Sequence, residues 1–300
     1  MSDAKEILVV GATGVLGTEV VRVLKAAGHP VRALVRETAP PEKRAQLEAL
    51  GARLVAADLK DRKSLDAACK GISTIVSTAS ATLSRQEGDS IESVDEVGHL
   101  SLIQAAEDEH VEHFVFVSFP ETGMDFALER AKRAVEARLR TATPTFTVIQ
   151  PAFFIETWLS AYFGFDPAHG TARLLGNGDG KVSWVSLQDA ARFVAAAAEG
   201  GRYAGQVITL GGPDPLSQRD VIAIFEELGS PKVSAETPLP ESALEGMLAA
   251  AQNPIEEAFA SLMLCVARGL VVDPRPAQAL LPGRLVTVRD YALRLLNAPN

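Results

Sequence analysis

The chain has 300 residues, 47% of them hydrophobic and 22% charged, with a formal net charge of −9. That length buries a substantial core and fits one large α/β domain, or a nucleotide-binding core with a smaller appendage. The acidic balance argues against nucleic acid or an anionic membrane as the main partner, and Cys69 and Cys265, far apart in sequence, read as two buried thiols in a reducing compartment.

The amino terminus runs almost at once into an apolar strand, without the basic segment and small-residue cleavage site of a signal peptide. Short, nearly continuous apolar runs then recur at Ile7–Val10, Val31–Val35, Arg53–Ala57, Thr74–Thr78, Phe114–Ser118 and Thr145–Ile149. Strands apolar on both faces belong in a parallel sheet covered by helices on both sides. Segments of helical periodicity lie between them, at Thr18–Ala27, Glu42–Leu50, Val97–Glu107 and Leu128–Arg140. This alternation predicts a doubly wound α/β fold, with a Rossmann core over 1–150. Residues 151–300 read as a smaller, mainly helical cap region, mixed α/β and intertwined with the core. Ala172–Val185 alternates around Asn177-Gly178 and Asp179-Gly180 and reads as a hairpin. Three later helix starts carry a hydroxyl residue followed three places on by an acid: Ser186…Asp189, Ser217…Asp220 and Thr287…Asp290. Capping of free amides explains all three better than catalysis does. Apolar stretches such as Phe259–Val272 are interrupted by Arg268 and Gly269, so no bilayer span is expected.

Gly11-Ala12-Thr13-Gly14-Val15-Leu16-Gly17 has the G-x-x-G-x-x-G spacing between a strand and a helix. Gly11 permits a tight turn, Gly14 lets backbone approach a pyrophosphate, and Gly17 lets the helix pack on the sheet, with amides at the helix start facing the phosphates. No Lys-Ser or Lys-Thr pair follows, which excludes P-loop chemistry. At the end of the second strand an acid would bind the ribose hydroxyls of NAD. Arg36 stands there instead, and an arginine pairs with the 2′-phosphate of NADP. The alternative is an ordinary surface arginine. Lys43 or Arg44 could assist from the next helix. The expected cofactor is NADP(H).

Taken together, the glycine loop, "ADL" at Ala57–Leu59, "TIVSTAS" at Thr74–Ser80, "VEHFVFVS" at Val111–Ser118, "RAKRAVEARLR" at Arg130–Arg140, "FTVIQPAFF" at Phe146–Phe154 and "VSWVSLQDAARF" at Val182–Phe193 resemble the atypical short-chain dehydrogenase/reductases of the NmrA-like and isoflavone-reductase-like group. The resemblance covers roughly residues 5–215. It implies that Asp58 and Leu59 flank the adenine and that Ala79 and Ser80 line the middle of the cofactor. It further implies that Lys132 hydrogen-bonds the nicotinamide ribose and that Pro151 to Phe153 wall the nicotinamide. Asp58 has the alternative of capping the next helix, and Lys132 that of an exposed helix lysine.

The sequence departs from the wider family at one point. A Tyr-x-x-x-Lys turn normally sets a phenol acid beside the lysine, but Leu128 stands four places before Lys132, and Tyr162, Tyr203 and Tyr291 have no lysine four residues on. Ser118 sits near the family's active-site serine without its usual partner. Loss of such an acid typically costs about 10²–10⁴-fold in reducing a ketone. Acceptors whose reduced form is a stabilised anion, such as quinones and enones, demand less. Lys132 is the other candidate donor, a role that relatives of the isoflavone-reductase type allow. Phe119, Phe153, Phe154, Trp158, Tyr162 and Phe163 suit a flat apolar substrate, although core packing explains residues at that spacing equally well. The five histidines, His29, His99, His110, His113 and His169, form no ligand pattern, and no metal is expected. His110 and His113 bracket a helix-to-strand turn and read as surface residues. The expectation is a cytoplasmic monomer or homodimer. It either reduces a small apolar molecule with NADPH or binds NADP(H) as a non-catalytic redox sensor.

Overall fold

A computed structural model describes residues 6–84, 86–166, 170–235 and 238–297, and His169 lies outside them. The chain divides into two compact units that interleave in sequence. The first comprises Met1–Phe119, Ala127–Gln150 and Ala190–Ile208, and the second Pro120–Phe126, Pro151–Asp189 and Thr209–Asn300.

The first unit is a Rossmann-type α/β fold. Its strands are β1 (Glu6–Val10), β2 (Val31–Val35), β3 (Arg53–Ala56), β4 (Ile72–Ser77), β5 (His113–Val117) and β6 (Thr145–Pro151). They alternate with helices α1 (Val15–Ala26), α2 (Pro41–Ala49), α3 (Arg62–Cys69), α4 (Val97–Asp108) and α5 (Ala127–Leu139). The sheet order is β3-β2-β1-β4-β5-β6 with parallel pairing throughout. All five residues of β2 and of β5 are buried, whereas β3, at the sheet edge, begins and ends exposed. Central strands covered on two faces are nearly continuous apolar runs, and an edge strand need not be. The expected runs therefore match the strands to within a residue or two.

A seventh strand, Gln206–Leu210, hydrogen-bonds to the other side of β6. It escapes a search for continuous apolar runs because exposed and buried positions mix along it, as suits an edge. Helix boundaries follow local chemistry. α1 closes at Gly28, whose φ of +86° lets His29 N–H reach the Leu24 carbonyl at 3.0 Å. α2 opens on Pro41, and Asp61 caps α3 by accepting from Lys63 N–H at 3.1 Å. Asp58 accepts instead from Lys60 N–H at 2.9 Å, a local turn, so helix capping falls to Asp61. α4 is extended backward by a π-helical segment, Ile91–Glu96, started by reciprocal Ser90 and Ser93 hydrogen bonds.

The second unit contains short strands Phe165–Asp166, Thr171–Ala172, Val182–Ser183, Pro215–Leu216 and Ser234–Ala235. Its helices Gln218–Glu227, Glu241–Ala249, Pro254–Arg268, Arg275–Leu280 and Val288–Leu296 make its later part mainly helical. The expected hairpin over Ala172–Val185 does not form. Thr171–Ala172 pairs with Phe165–Asp166 and Ser234–Ala235, whereas Val182–Ser183 pairs with Pro215–Leu216. The cause lies between them. Leu270, just past the Pro254–Arg268 helix, donates to the Lys181 carbonyl at 2.9 Å and accepts from Ser183 N–H at 3.1 Å, so backbone from elsewhere takes the place of a hairpin partner. All three expected caps form, with Ser186, Ser217 and Thr287 oxygens accepting from the amides of Asp189, Asp220 and Asp290 at 3.0–3.1 Å. Both cysteines are buried, neither in a disulfide, and burial pushes the Cys69 thiol up to about 12.

Candidate cofactor and active site

The glycine loop is as tight as its spacing predicts. Gly11 has φ +81°, and a Cβ there would come within 2.7 Å of Ala79 N. A Cβ on Gly17 would come within 2.1 Å of the Gly11 carbonyl oxygen. Gly14 precedes α1 without a side-chain cap, and the first turn carries no acid. The Gly14 N–H is taken by the Gly11 carbonyl at 3.0 Å, and beyond it exposed Val15 and half-buried Leu16 start the helix with amides open to an anion. Thr13 is half-buried, and Thr18 closes the turn by donating to the Ala12 carbonyl at 2.9 Å.

At the end of β2, Arg36 donates to Asp89 Oδ2 at 2.6 Å. Lys60, just beyond β3, pairs with Oδ1 of the same carboxylate, and Ser84 donates to Oδ2 alongside Arg36. Sequence reasoning reached Arg36 and missed Lys60 and Asp89, whose association depends on three separate loops meeting. Arg44 is spent otherwise. Its guanidinium donates to the carbonyls of Arg36 and Glu37 at 2.7 and 2.9 Å, so it holds the loop that carries Arg36. Leu59 is buried in the core beside Gly98, whereas Asp58 keeps a half-exposed side chain. Ala79 and Ser80 are half-buried after β4, and Ser80 accepts from Thr82 N–H at 3.3 Å.

Lys132 lies on α5 with a side chain only 6% exposed, so the exposed-lysine alternative is excluded. Its Nζ is 3.1 Å from Asp95 Oδ1 and 5.0 Å from the centre of the Phe116 ring. Asp95 belongs to the π-helical segment, is fully buried, and accepts from Ala81 N–H through Oδ2 at 2.9 Å. A wider turn within a helix re-aims side chains and often marks such sites. His99 completes the cluster. Its Nδ1 lies 2.8 Å from the Val94 carbonyl, which can only accept, so Nδ1 carries the proton and Nε2 accepts from Ser77 Oγ at 2.8 Å. Burial and the nearby Lys132 cation, against the opposing pull of Asp95, push His99 down to about 4. None of Asp95, His99 or Ser77 carries a sequence signal of its own. Only their convergence beside Lys132 marks them.

Leu128, where the tyrosine acid would stand, is buried. Ser118 is buried at the end of β5, and Arg133 Nη2 lies 3.4 Å from its Oγ and also reaches the Phe119 carbonyl. Arg133 stacks over the Phe119 ring at 5.4 Å and pairs with buried Glu136 at 2.8 Å. Ser118 therefore has an arginine for a partner.

In the second unit, Phe153 packs edge-on against Trp158 at 4.9 Å, and Trp158 stacks on Phe163 at 4.4 Å. Tyr162 meets Phe163 at 5.0 Å and is 63% exposed. Phe153 belongs to the apolar core there, Phe154 bridges to Val185, and Pro151 is buried at the end of β6. Phe153, Trp158, Phe163 and Tyr162 thus form one chain of ring contacts, and Phe119 belongs to the other unit. Of the two histidines read as surface residues, His110 is exposed with φ +55°. His113 is buried and lies 2.9 Å from Thr147 Oγ1, because it starts β5 rather than ending the preceding turn.

The model of the NmrA-like family matches residues 3–272. The chain belongs to the NmrA-like family. Among curated relatives, the photosystem II assembly factor Ycf39 of Trieres chinensis is 28% identical over 224 residues, 74% of this chain and 68% of that protein. An NAD(P)H azoreductase of Xenophilus azovorans is 30% identical over 219 residues, 72% and 71% of the two chains. Among solved structures, an NADPH-dependent quinone oxidoreductase of Escherichia coli in complex with NADPH superposes with a TM-score of 0.78 at 22% identity. That match covers 97% of this chain and 100% of the other, a likeness of fold. Among the described residues, no helix is long and apolar enough to cross a membrane.

Proposed function

We propose that this NmrA-like protein is an NADP(H)-dependent reductase that delivers hydride to a flat, apolar acceptor such as a quinone or enone. Lys132 carries the reading. It is a buried lysine on the helix after β5, held by a buried carboxylate, with an aliphatic residue in the place of the tyrosine acid. The relatives named as an NAD(P)H azoreductase and an NADPH-dependent quinone oxidoreductase support a conjugated acceptor.

The residues present fit the cofactor. Gly11 and Gly17 leave no room for side chains, and α1 starts with uncapped amides, a cradle suited to a pyrophosphate. Arg36 and Lys60 offer paired cations for a 2′-phosphate. When bound, NADPH supplies the hydride. Lys132, anchored by Asp95, would hold a proton at Nζ for the cofactor's ribose, and Ser118 would offer a hydroxyl to the acceptor. A reduced quinone or enone is a stabilised anion that water can protonate, so the missing tyrosine is tolerated. An aromatic surface of the kind carried by Trp158 and Tyr162 suits such an acceptor. The test is NADPH oxidation against a panel of quinones, enones and azo compounds. Turnover should fall by about 10²-fold in Lys132→Ala while NADPH still binds.

A second reading rests on the same cluster. With Leu128 buried and Lys132 paired to Asp95, the chain keeps the binding features without the tyrosine acid, and one relative bears the name of an assembly factor. A non-catalytic sensor would bind NADPH and NADP⁺ with different affinities, retain a protein partner in a pull-down and turn over nothing in the panel. Turnover of any quinone or enone at enzymatic rates would remove it.

A further inference from the structure

Three positively charged or hydroxyl side chains converge on one carboxylate at the end of β2. Asp89 has a side chain only 3% exposed, and its two oxygens divide between Arg36, at 2.6 Å, and Lys60, with Ser84 donating alongside Arg36. Both cations are about 30% exposed, so each keeps part of its side chain in solvent. Burial raises the Asp89 carboxyl, but hydrogen bonds from Lys60, Ser84 and Arg36 outweigh it and hold the group down at about 2, so it is an anion throughout the physiological range.

The segment that brings Asp89 here is tied to its surroundings at Gln86 and Gly88. Thr38 donates to Gln86 Oε1 at 2.6 Å, and Ser93 Oγ donates to the Gly88 carbonyl at 3.0 Å. Gly88, immediately before Asp89, has φ +77°, and a Cβ there would meet nothing within 4 Å. This is a left-handed backbone position that glycine adopts without strain.

We propose that Asp89 is a built-in stand-in for the 2′-phosphate. Its carboxylate occupies the Arg36 and Lys60 cations until a ligand carrying that phosphate displaces it, which makes Asp89 and Lys60 determinants of cofactor choice. The inference rests on the NADP(H) reading above. A phosphate monoester brings more charge and more acceptor oxygens than a carboxylate, and both cations can pair with it at once. A cofactor ending in a 2′-hydroxyl brings no charge to exchange for the one it would displace. A ligand shifts such an equilibrium only by its differential affinity for the two states, so the latch taxes every 2′-phosphate ligand by the fraction of molecules in which Asp89 is seated. The opposite role is a scaffold, in which Asp89 merely keeps two cations from repelling each other and its loss weakens binding.

The sign of one substitution separates the two. Binding of NADPH, NADH, 2′,5′-ADP and 5′-AMP would be titrated on the full chain and on Asp89→Asn, which preserves shape and removes the charge. The expected result is NADPH and 2′,5′-ADP tightened about fivefold or more, with NADH and 5′-AMP unchanged within about twofold or weakened. Ser84→Ala, which removes one hydrogen bond from the latch, should move the same two ligands in the same direction by less. Lys60→Gln should weaken NADPH and 2′,5′-ADP about tenfold and spare NADH. If wild-type protein prefers NADPH but Asp89→Asn and Ser84→Ala leave it unchanged or weaken it, the stand-in role is overturned and the cofactor reading stands. If wild-type protein shows no preference for the phosphorylated ligands and no variant creates one, both fall together.

Discussion

In the first unit the charged side chains Asp95, Lys132 and Glu136 lie inside, each engaged by another polar group. In the second unit acids serve helix starts, as at Asp220 and Asp290, around a core of Phe153, Trp184, Phe225 and aliphatic neighbours. The two arrangements have different energetics. A buried ion pair contributes little net stability while intact, because desolvation offsets attraction, yet removing one partner leaves an uncompensated charge. A helix cap contributes modestly and locally. Helix capping accounts for Asp220 and Asp290. The buried charges of the first are better accounted for by what they hold in place.

Three measurements would sharpen or break that contrast. The largest effect is expected from Asp95→Ala, which strands Lys132 in a buried site. Urea unfolding should show a loss of about 3–5 kcal/mol. The double variant Asp95→Leu with Lys132→Met should recover most of it, and a loss under about 1 kcal/mol in the single variant would mean that Lys132 finds water or another partner.

The next effect is on pH. His99 has an ordinary value of 6.5 and a folded value of about 4, lowered by burial and by Lys132. Between those values the unfolded chain binds a proton that the folded chain does not. The His99 contribution is therefore complete above pH 6.5 and is lost as pH falls toward 4, with a slope of at most about 1.4 kcal/mol per pH unit. Thermal unfolding between pH 7 and pH 4 should show this slope, and His99→Gln should flatten it. An unchanged acid limb in the variant would assign the slope to other groups.

The smallest effect belongs to the second unit. Thr287→Ala removes an acceptor at 3.0 Å from Asp290 N–H and should cost about 1 kcal/mol without altering NADPH affinity. A change in cofactor affinity would couple this cap to the site and weaken the contrast.

How much could be read in advance follows from the range of the forces involved. The glycine spacing, the apolar strands and the hydroxyl-to-acid caps are local patterns, and each appears where the residues predict it. Lys132 was legible through the helix that carries it. Its partner was not, because Asp95 lies 37 positions earlier in a π-helical turn that no periodicity announces. Arg36 was legible by position, but its engagement with Asp89 was not. The turn at Asn177–Gly180 was legible as a turn and misleading as a hairpin, since Thr171–Ala172 pairs with Phe165–Asp166 and Ser234–Ala235 and Val182–Ser183 pairs with Pro215–Leu216.

By itself the sequence determined the alternating α/β order, the glycine cradle, the helix boundaries and the absence of a tyrosine acid. These depend on neighbours within a few residues, where backbone sterics and the hydrophobic period act directly. The tertiary structure alone decided which charges meet. The Asp95–Lys132–His99–Ser77 cluster and the Arg36–Asp89–Lys60 clamp assemble residues from separate loops and helices. Burial then sets the energetics of each group, because a charge removed from water must take whatever partner the fold brings to it.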